Sequence, residues 1–337
     1  MITPKSIDEV KAAARVEEVL GEFIDLRRAG VNLKGPCPFH DEKTPSFVVS
    51  PAKGIYKCFG CGMAGDSVRF LMDHEKLSYP EAIRWIANKY NIELEETEVS
   101  EEVRREIQKK DSFFIINGFA QKLFQEYLLK TNEGRAIGLS YFKERGFLDS
   151  TVEKWGLGYA PEDRHFLFNE LKQGGYNLEL AHELGLLKEN RDFFHSRIVF
   201  PIRNLSGKII GIGARTLSSN KRIPKYINSP ESEIYNKRKT LFGLYFAKTA
   251  IRKKDTCYMV EGYTDVISLH QNGIENVVAS SGTALTVEQI KLVKRFSENI
   301  TVVYDGDSAG INAALRGLDL ILEQDMNVRL LLLPDGE

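Results

Sequence analysis

The chain has 337 residues, 46 Lys/Arg against 47 Asp/Glu for a net charge of −1, and 42% hydrophobic and 28% charged residues, ordinary values for a soluble globular protein. Its length suits two or three domains rather than one. No run of about 18 apolar residues offers a membrane span, Met1-Ile2-Thr3-Pro4-Lys5 lacks the apolar core of a secretory signal, and four cysteines, two of them in one tight pair, make a disulfide framework a poor reading. The expected compartment is the cytoplasm. The charge is unevenly spread. Between Arg191 and Lys254 stand 15 Lys/Arg against the three acids Asp192, Glu231 and Glu233, a surplus of 12 that leaves −13 for the remainder. Such a block suits a polyanionic ligand or, equally, a solvated lysine-rich surface.

Taken in order, Ser6-Ile7-Asp8-Glu9 is a capping box that predicts a helix from about residue 6 to Ala14, with a second short helix over 17–21. Phe23 to Leu33 looks strand-like. Cys37-Pro-Phe-His40 and Cys58-Phe-Gly-Cys61 follow, each pair two residues apart and the pairs separated by 17 residues. Such spacing lets a tight turn present both side chains to one ion, and three thiolates with one imidazole close a tetrahedral Zn²⁺ site, structural rather than catalytic. The intervening 46–50 and 54–57 read as hairpin strands carrying the knuckles. Around them Lys53, Tyr56, Lys57 and Phe59 suit single-stranded DNA, where bases stack and phosphates meet lysine. Tyr56 and Phe59 could equally pack a small ribbon.

Helices are predicted over 66–75 and 78–90, the second with its own box, Ser78-x-x-Glu81, and a core face of Ile83, Ile86 and Ala87. The glutamate-rich stretch from Ile92 to Ser100 reads as a linker. A long helix is expected over 102–129 and short ones over 140–146 and 153–159. Residues 198–216 form a hairpin turning at 203–208. Pro224-Lys225-Tyr226-Ile227-Asn228-Ser229-Pro230 reads as a surface loop.

Two β-rich runs end the chain. Thr256–Val260 closes on Glu261-Gly262, and Ile300–Tyr304 closes on Asp305-Gly306-Asp307, each followed by a helical pattern. In a parallel α/β sheet such runs place their last residues at the carboxyl edge, where ligands bind. Three acids gathered there favour a hard divalent cation, so Glu261, Asp305 and Asp307 are a candidate Mg²⁺ or Mn²⁺ site. Asp265, four residues after Glu261, either supports that site or is an exposed carboxylate in the first turn of a helix. Cys257, inside the apolar run, reads as a small core residue.

The Cys37-Pro-Phe-His40-Asp-Glu-Lys-Thr-Pro-Ser-Phe and Cys58-Phe-Gly-Cys61 motifs resemble the zinc-binding domain of bacterial DnaG-type primases. Pro224-Lys-Tyr-Ile-Asn-Ser-Pro230, Leu241-Phe-Gly-Leu244 and Val260-Glu-Gly-Tyr-Thr-Asp265 resemble their RNA polymerase domain, and Tyr304-Asp-Gly-Asp-Ser-Ala-Gly310 the acidic motif of the Toprim fold. The resemblance implies a multidomain α+β and α/β chain. A zinc ribbon domain (1–91) leads through an acidic linker and helix start (92–110) to a basic mixed α/β subdomain (111–240) and a Toprim-type parallel-sheet subdomain (241–337), incomplete at its C-terminus. It implies synthesis of short RNA primers on single-stranded DNA from NTPs, by a monomer in the cytoplasm at the nucleoid. Catalytic metals are then held by Glu261, Asp305 and Asp307, nucleotide phosphates by Lys225 and Lys237, and template by Arg197, Arg203 and Arg215. A replicative helicase is the further partner, through a domain that this sequence does not include. The competing readings are a Toprim nuclease or topoisomerase-like cleaver using the same acids, and a non-catalytic zinc and DNA-binding fragment.

Overall fold

The computed structural model describes residues 2–40, 42, 44–75, 77–96, 101–220, 222–280, 284–304 and 308–332, with backbone alone over 308–313 and at 332. The chain divides into two compact units, Met1–Arg104 and Arg105–Glu337.

In the first unit, α1 (Pro4–Ala13) starts two residues before the expected position. Proline is pre-set for the first helical turn, and Thr3 rather than Ser6 supplies the cap, its Oγ1 accepting the Ser6 N–H at 3.3 Å. After α2 (Val16–Leu20) comes an antiparallel sheet in chain order: β1 (Arg27–Ala29), β2 (Asn32–Gly35), β3 (Phe47–Ser50), β4 (Ile55–Cys58) and β5 (Ala64–Gly65). The predicted strand-like stretch before the first cysteine is thus a hairpin. Asp66 caps α3 (Ser67–His74), and the predicted Ser78–Glu81 box starts α4 (Tyr79–Lys89). Phe47 and Tyr56 stack at 5.0 Å and meet the edge of Phe70, an aromatic centre that Ile83 and Ile86 close. The linker reading needs correction over 92–96. Ile92 and Leu94 pack on this core, and the Thr3 N–H donates to Glu95 O at 3.0 Å. Residues 97–100 lie outside the described residues.

The long helix α5 (Glu101–Lys130) leads through a π-helical stretch at Gly134–Leu139 to α6 (Ser140–Glu144) and α7 (Asp149–Trp155). The expected helix over 153–159 is divided because Gly156, at φ 70°, takes the left-handed conformation that ends a helix; Gly158–Ala160 becomes β6. Next come α8 (Phe166–Gln173), α9 (Leu178–Glu183), the small hairpin β7 (Leu187–Lys188) and β8 (Arg191–Asp192), then β9 (Arg197–Arg203), β10 (Ile209–Thr216) and β11 (Tyr226–Asn228). The antiparallel order β11-β10-β9-β6 corrects the surface-loop reading of 224–230: its prolines flank a three-residue edge strand, where a missing N–H is tolerated.

The remainder alternates: α10 (Leu244–Lys254), β12 (Cys257–Val260), α11 (Tyr263–Gln271), β13 (Val277–Ala279), α12 (Val287–Lys294), β14 (Asn299–Tyr304), α13 (Ser308–Leu322) and β15 (Asn327–Leu332). The sheet is parallel throughout, in the order β13-β12-β14-β15. From β12 the chain moves outward to β13 and then returns across to β14. The order therefore reverses between β12 and β14, the place where such sheets open a ligand crevice at their carboxyl edge. One sheet face packs on the antiparallel sheet through Phe200, Val260, Tyr263 and Val277. The other is covered by Leu244, Ala247, Ile251, Ile290 and Val293. Cys257, at 0% exposure, is the core residue expected.

Candidate active site and metal centre

In the first unit β4 ends at Cys58, and the turn after it carries Cys61 to the loop that bears Cys37 and His40. Their ligand atoms all lie within 4.8 Å of one another. Cys37 Sγ and Cys61 Sγ are 3.7 Å apart. Thiolates about 2.3 Å from a tetrahedral zinc would stand about 3.8 Å apart, so the donor set fits the ion. Burial pushes the Cys37 thiol up to about 12. Burial acts the same way on Cys58, but neighbouring donors, the Cys61 and Gly60 N–H groups among them, draw it down to about 7. This is a structural zinc centre. Of the nearby aromatics, Tyr56 is fully buried and packs the ribbon, while Phe59 is 70% exposed with Lys57 Nζ 5.3 Å from its ring.

In the second unit β12 and β14 pair in parallel, Cys257 with Ile300 and Met259 with Val302. The register brings Glu261, just past the end of β12, level with Tyr304 at the end of β14. Burial and then the Glu261 charge push the Tyr304 hydroxyl up to about 12. Asp305 and Asp307 follow Tyr304 in sequence and lie outside the described residues. Asp265 turns back on the start of its own helix, its Oδ2 accepting the Gly262 N–H at 2.9 Å. It thereby fixes the turn that presents Glu261.

The basic residues divide in two. Arg197 is buried and donates to Pro224 O at 3.0 Å. Arg203 donates to Gly207 O at 3.0 Å and lies over the Phe246 ring. Both are engaged within the unit. Arg215 lies 4.7 Å over Tyr141, which Arg145 approaches at 5.3 Å. Lys225 is exposed beside β11, and Lys237 sits in the turn at Lys237–Lys239 with its N–H donating to Glu231 at 2.9 Å.

Four residues without an assigned role join this surface to the acids. Tyr141 and Arg145 flank Arg215. The Tyr263 hydroxyl donates to Asn228 Oδ1 at 2.6 Å, tying β11 to the first turn of α11 two residues after Glu261. The Tyr263 ring lies over Gly213, where an added Cβ would come within 2.4 Å of it. Both residues lie in motifs quoted above, 35 residues apart, but neither motif shows that they meet.

Comparison with known proteins places this geometry. Residues 2–102 match the CHC2 zinc finger family, 124–248 the N-terminal domain of the DNA primase catalytic core, and 258–337 the Toprim-like family. A DNA primase of Halalkalibacterium halodurans is 40% identical over 341 residues, covering 99% of this chain and 56% of the relative. The chain thus spans about half the length of the curated relatives it matches. The zinc-binding and RNA polymerase domains of the Aquifex aeolicus primase superpose with a TM-score of 0.63 at 36% identity, covering 98% of this chain and 80% of that one. A DnaG primase catalytic domain solved bound to single-stranded DNA superposes at 0.61 with 33% identity, over 68% of this chain and 76% of that one. With its zinc ribbon, catalytic-core domain and Toprim sheet in the same order as these relatives, the chain belongs to the DnaG-type family of bacterial DNA primases.

Proposed function

We propose that this chain carries the priming activity of its family: RNA synthesis from NTPs on a single-stranded DNA template, a nucleotidyl transfer. The observation that carries the reading is the placement of Glu261 at the reversal of the parallel sheet, next to the strand that leads into Asp305 and Asp307. Glu261, Asp305 and Asp307 would hold divalent magnesium or manganese. Bound there, such ions stabilise the attacking and leaving oxygens of phosphoryl transfer.

The chain's own residues bind and orient. Lys225 and Lys237 meet the phosphates of the incoming nucleotide, from a stretch that holds 15 Lys/Arg against three acids. Arg215 and Arg145, which both lie over the Tyr141 ring, face the template backbone; a relative's catalytic domain is solved bound to single-stranded DNA. Arg197 and Arg203 shape that surface from within. Asp265 holds the Glu261 turn. The exposed Phe59 and Lys57 of the zinc unit offer a ring and a cation to single-stranded DNA. The setting is the cytoplasm at the nucleoid, with a replicative helicase as partner of the longer protein.

The test is incubation with single-stranded DNA, NTPs and Mg²⁺ or Mn²⁺. RNA oligomers that vanish in Asp305→Asn and Glu261→Gln support priming. Cut DNA would identify a Toprim cleaver, and binding without products a non-catalytic module.

A further inference from the structure

Glu42 lies between the two zinc knuckles, with its side chain only 9% exposed. Oε1 accepts the Cys37 N–H at 2.9 Å and the Ser46 N–H at 2.8 Å. Oε2 stands 3.3 Å from His40 Nε2 and accepts the Ser46 hydroxyl. His40 Nδ1, on the other side of the ring, is 3.9 Å from Cys58 Sγ. The imidazole therefore presents Nδ1 to the metal position and Nε2–H to the carboxylate. One carboxylate thus gathers a ligand's backbone, a ligand's ring and the residue that leads into β3.

We propose that Glu42 is a positioning residue for the zinc centre: it fixes the His40 ring and tautomer and ties the first knuckle to Ser46, which leads into β3, the neighbour of the strand that carries the second. The chemistry selects glutamate. All four groups facing it are donors, so the site needs four acceptor positions and no donor. Glutamine would turn an NH₂ group against some of those donors, and aspartate is one methylene too short to reach both Cys37 and Ser46. A carboxylate behind a ligating histidine also raises the ligand's basicity, an effect worth 10–100-fold in metal affinity where it has been removed.

A second feature leads to the same residue. A Cβ on Gly60 would come within 2.6 Å of His40 Nε2 and 2.8 Å of Ser46 Oγ, the two groups that meet Glu42 Oε2. The glycine inside the second knuckle leaves room for this bridge.

The experiment loads the full chain with zinc and follows transfer to the chelator 4-(2-pyridylazo)resorcinol. It also records the visible spectrum of the Co²⁺-substituted protein. Glu42→Gln should raise the zinc Kd 10–100-fold and shift the Co²⁺ bands while circular dichroism at saturating zinc stays that of the wild type. Glu42→Asp should fall between the two. Gly60→Ala should move zinc affinity in the same direction with the carboxylate intact. A Glu42→Gln protein with a zinc Kd within twofold of wild type and an unchanged Co²⁺ spectrum overturns the proposal. So does one that stays unfolded at saturating zinc, since Glu42 would then serve the fold and not the metal.

Discussion

Asp192 is a carboxylate that serves the fold rather than a reaction. It is 4% exposed, and its oxygens accept the N–H groups of Leu167 and Phe168 at 2.7 and 2.9 Å. It therefore caps α8 from a distant hairpin, a helix whose own N-cap, His165, has no capping side-chain bond. Asp192→Ala should cost about 2 kcal/mol, seen in urea unfolding, because two N–H groups lose their partner. Burial pushes its carboxyl up to about 6, against the pull of the two N–H groups. The folded value exceeds the ordinary 3.8, so this group favours folding most at low pH, and that contribution is lost as pH rises from about 4 through about 6. Asp192→Asn should flatten stability across that window; an unchanged slope would assign the titration elsewhere. At the proposed nucleic-acid surface, Lys225→Ala should raise the NTP concentration needed for synthesis while sparing DNA binding. Arg215→Ala should weaken DNA binding and lower its salt slope by about one. Equal NTP dependence in Lys225→Ala and wild type would remove Lys225 from the nucleotide site.

At the scale of elements, the join between β10 and α11 is built without slack. Tyr263 is 2% exposed, stacked at 5.1 Å on Phe200 and bonded to Asn228, so its ring cannot retreat from a methyl at position 213. Gly213→Ala should destabilise the second unit by about 1–3 kcal/mol through overpacking and lower synthesis by disturbing the turn that bears Glu261. A thermal melt and a primer assay check both halves; a normal melt with normal synthesis would mean the ring has room after all. Elements with local signals were legible in the sequence. The Ser78–Glu81 box, the Cys37/His40 and Cys58/Cys61 knuckles, the 203–208 turn and the two strands preceding Glu261 and Asp305 all form where their residues direct. What was not legible depends on partners far along the chain. Residues 226–228 are a strand because β10 offers them an edge, and residues 92–96 are docked because Thr3 and Ser6 meet Glu95. Glu42 stood inside a recognised motif, but its role needs the His40 ring orientation, which no spacing reveals.

At the scale of the molecule, the two units have separate cores, one around Phe47, Tyr56 and Phe70 and the other shared by the two sheets of residues 105–337. Among the described residues the zinc donor set lies in the first. Zinc removal by a chelator should abolish the first unit's unfolding transition and leave the second unit's unchanged, as calorimetry with and without metal would show. Cys58→Ser should do the same without chelator. Transitions that moved together on zinc removal would show the units unfolding as one.

The position of β14 has a kinetic consequence. The strand that leads into Asp305 pairs with β12 only after the chain has left for β13 and come back, closing a loop of 39 residues between Val260 and Ile300. Loop entropy must be offset before that pairing gains anything, so parallel contacts of this span form late. A nascent or partly unfolded chain can then hold its zinc and complete its first unit while its acids remain apart. In refolding followed by hydrogen exchange, protection at Met259 and Val302 should therefore appear together with activity and after protection in β3 and β4.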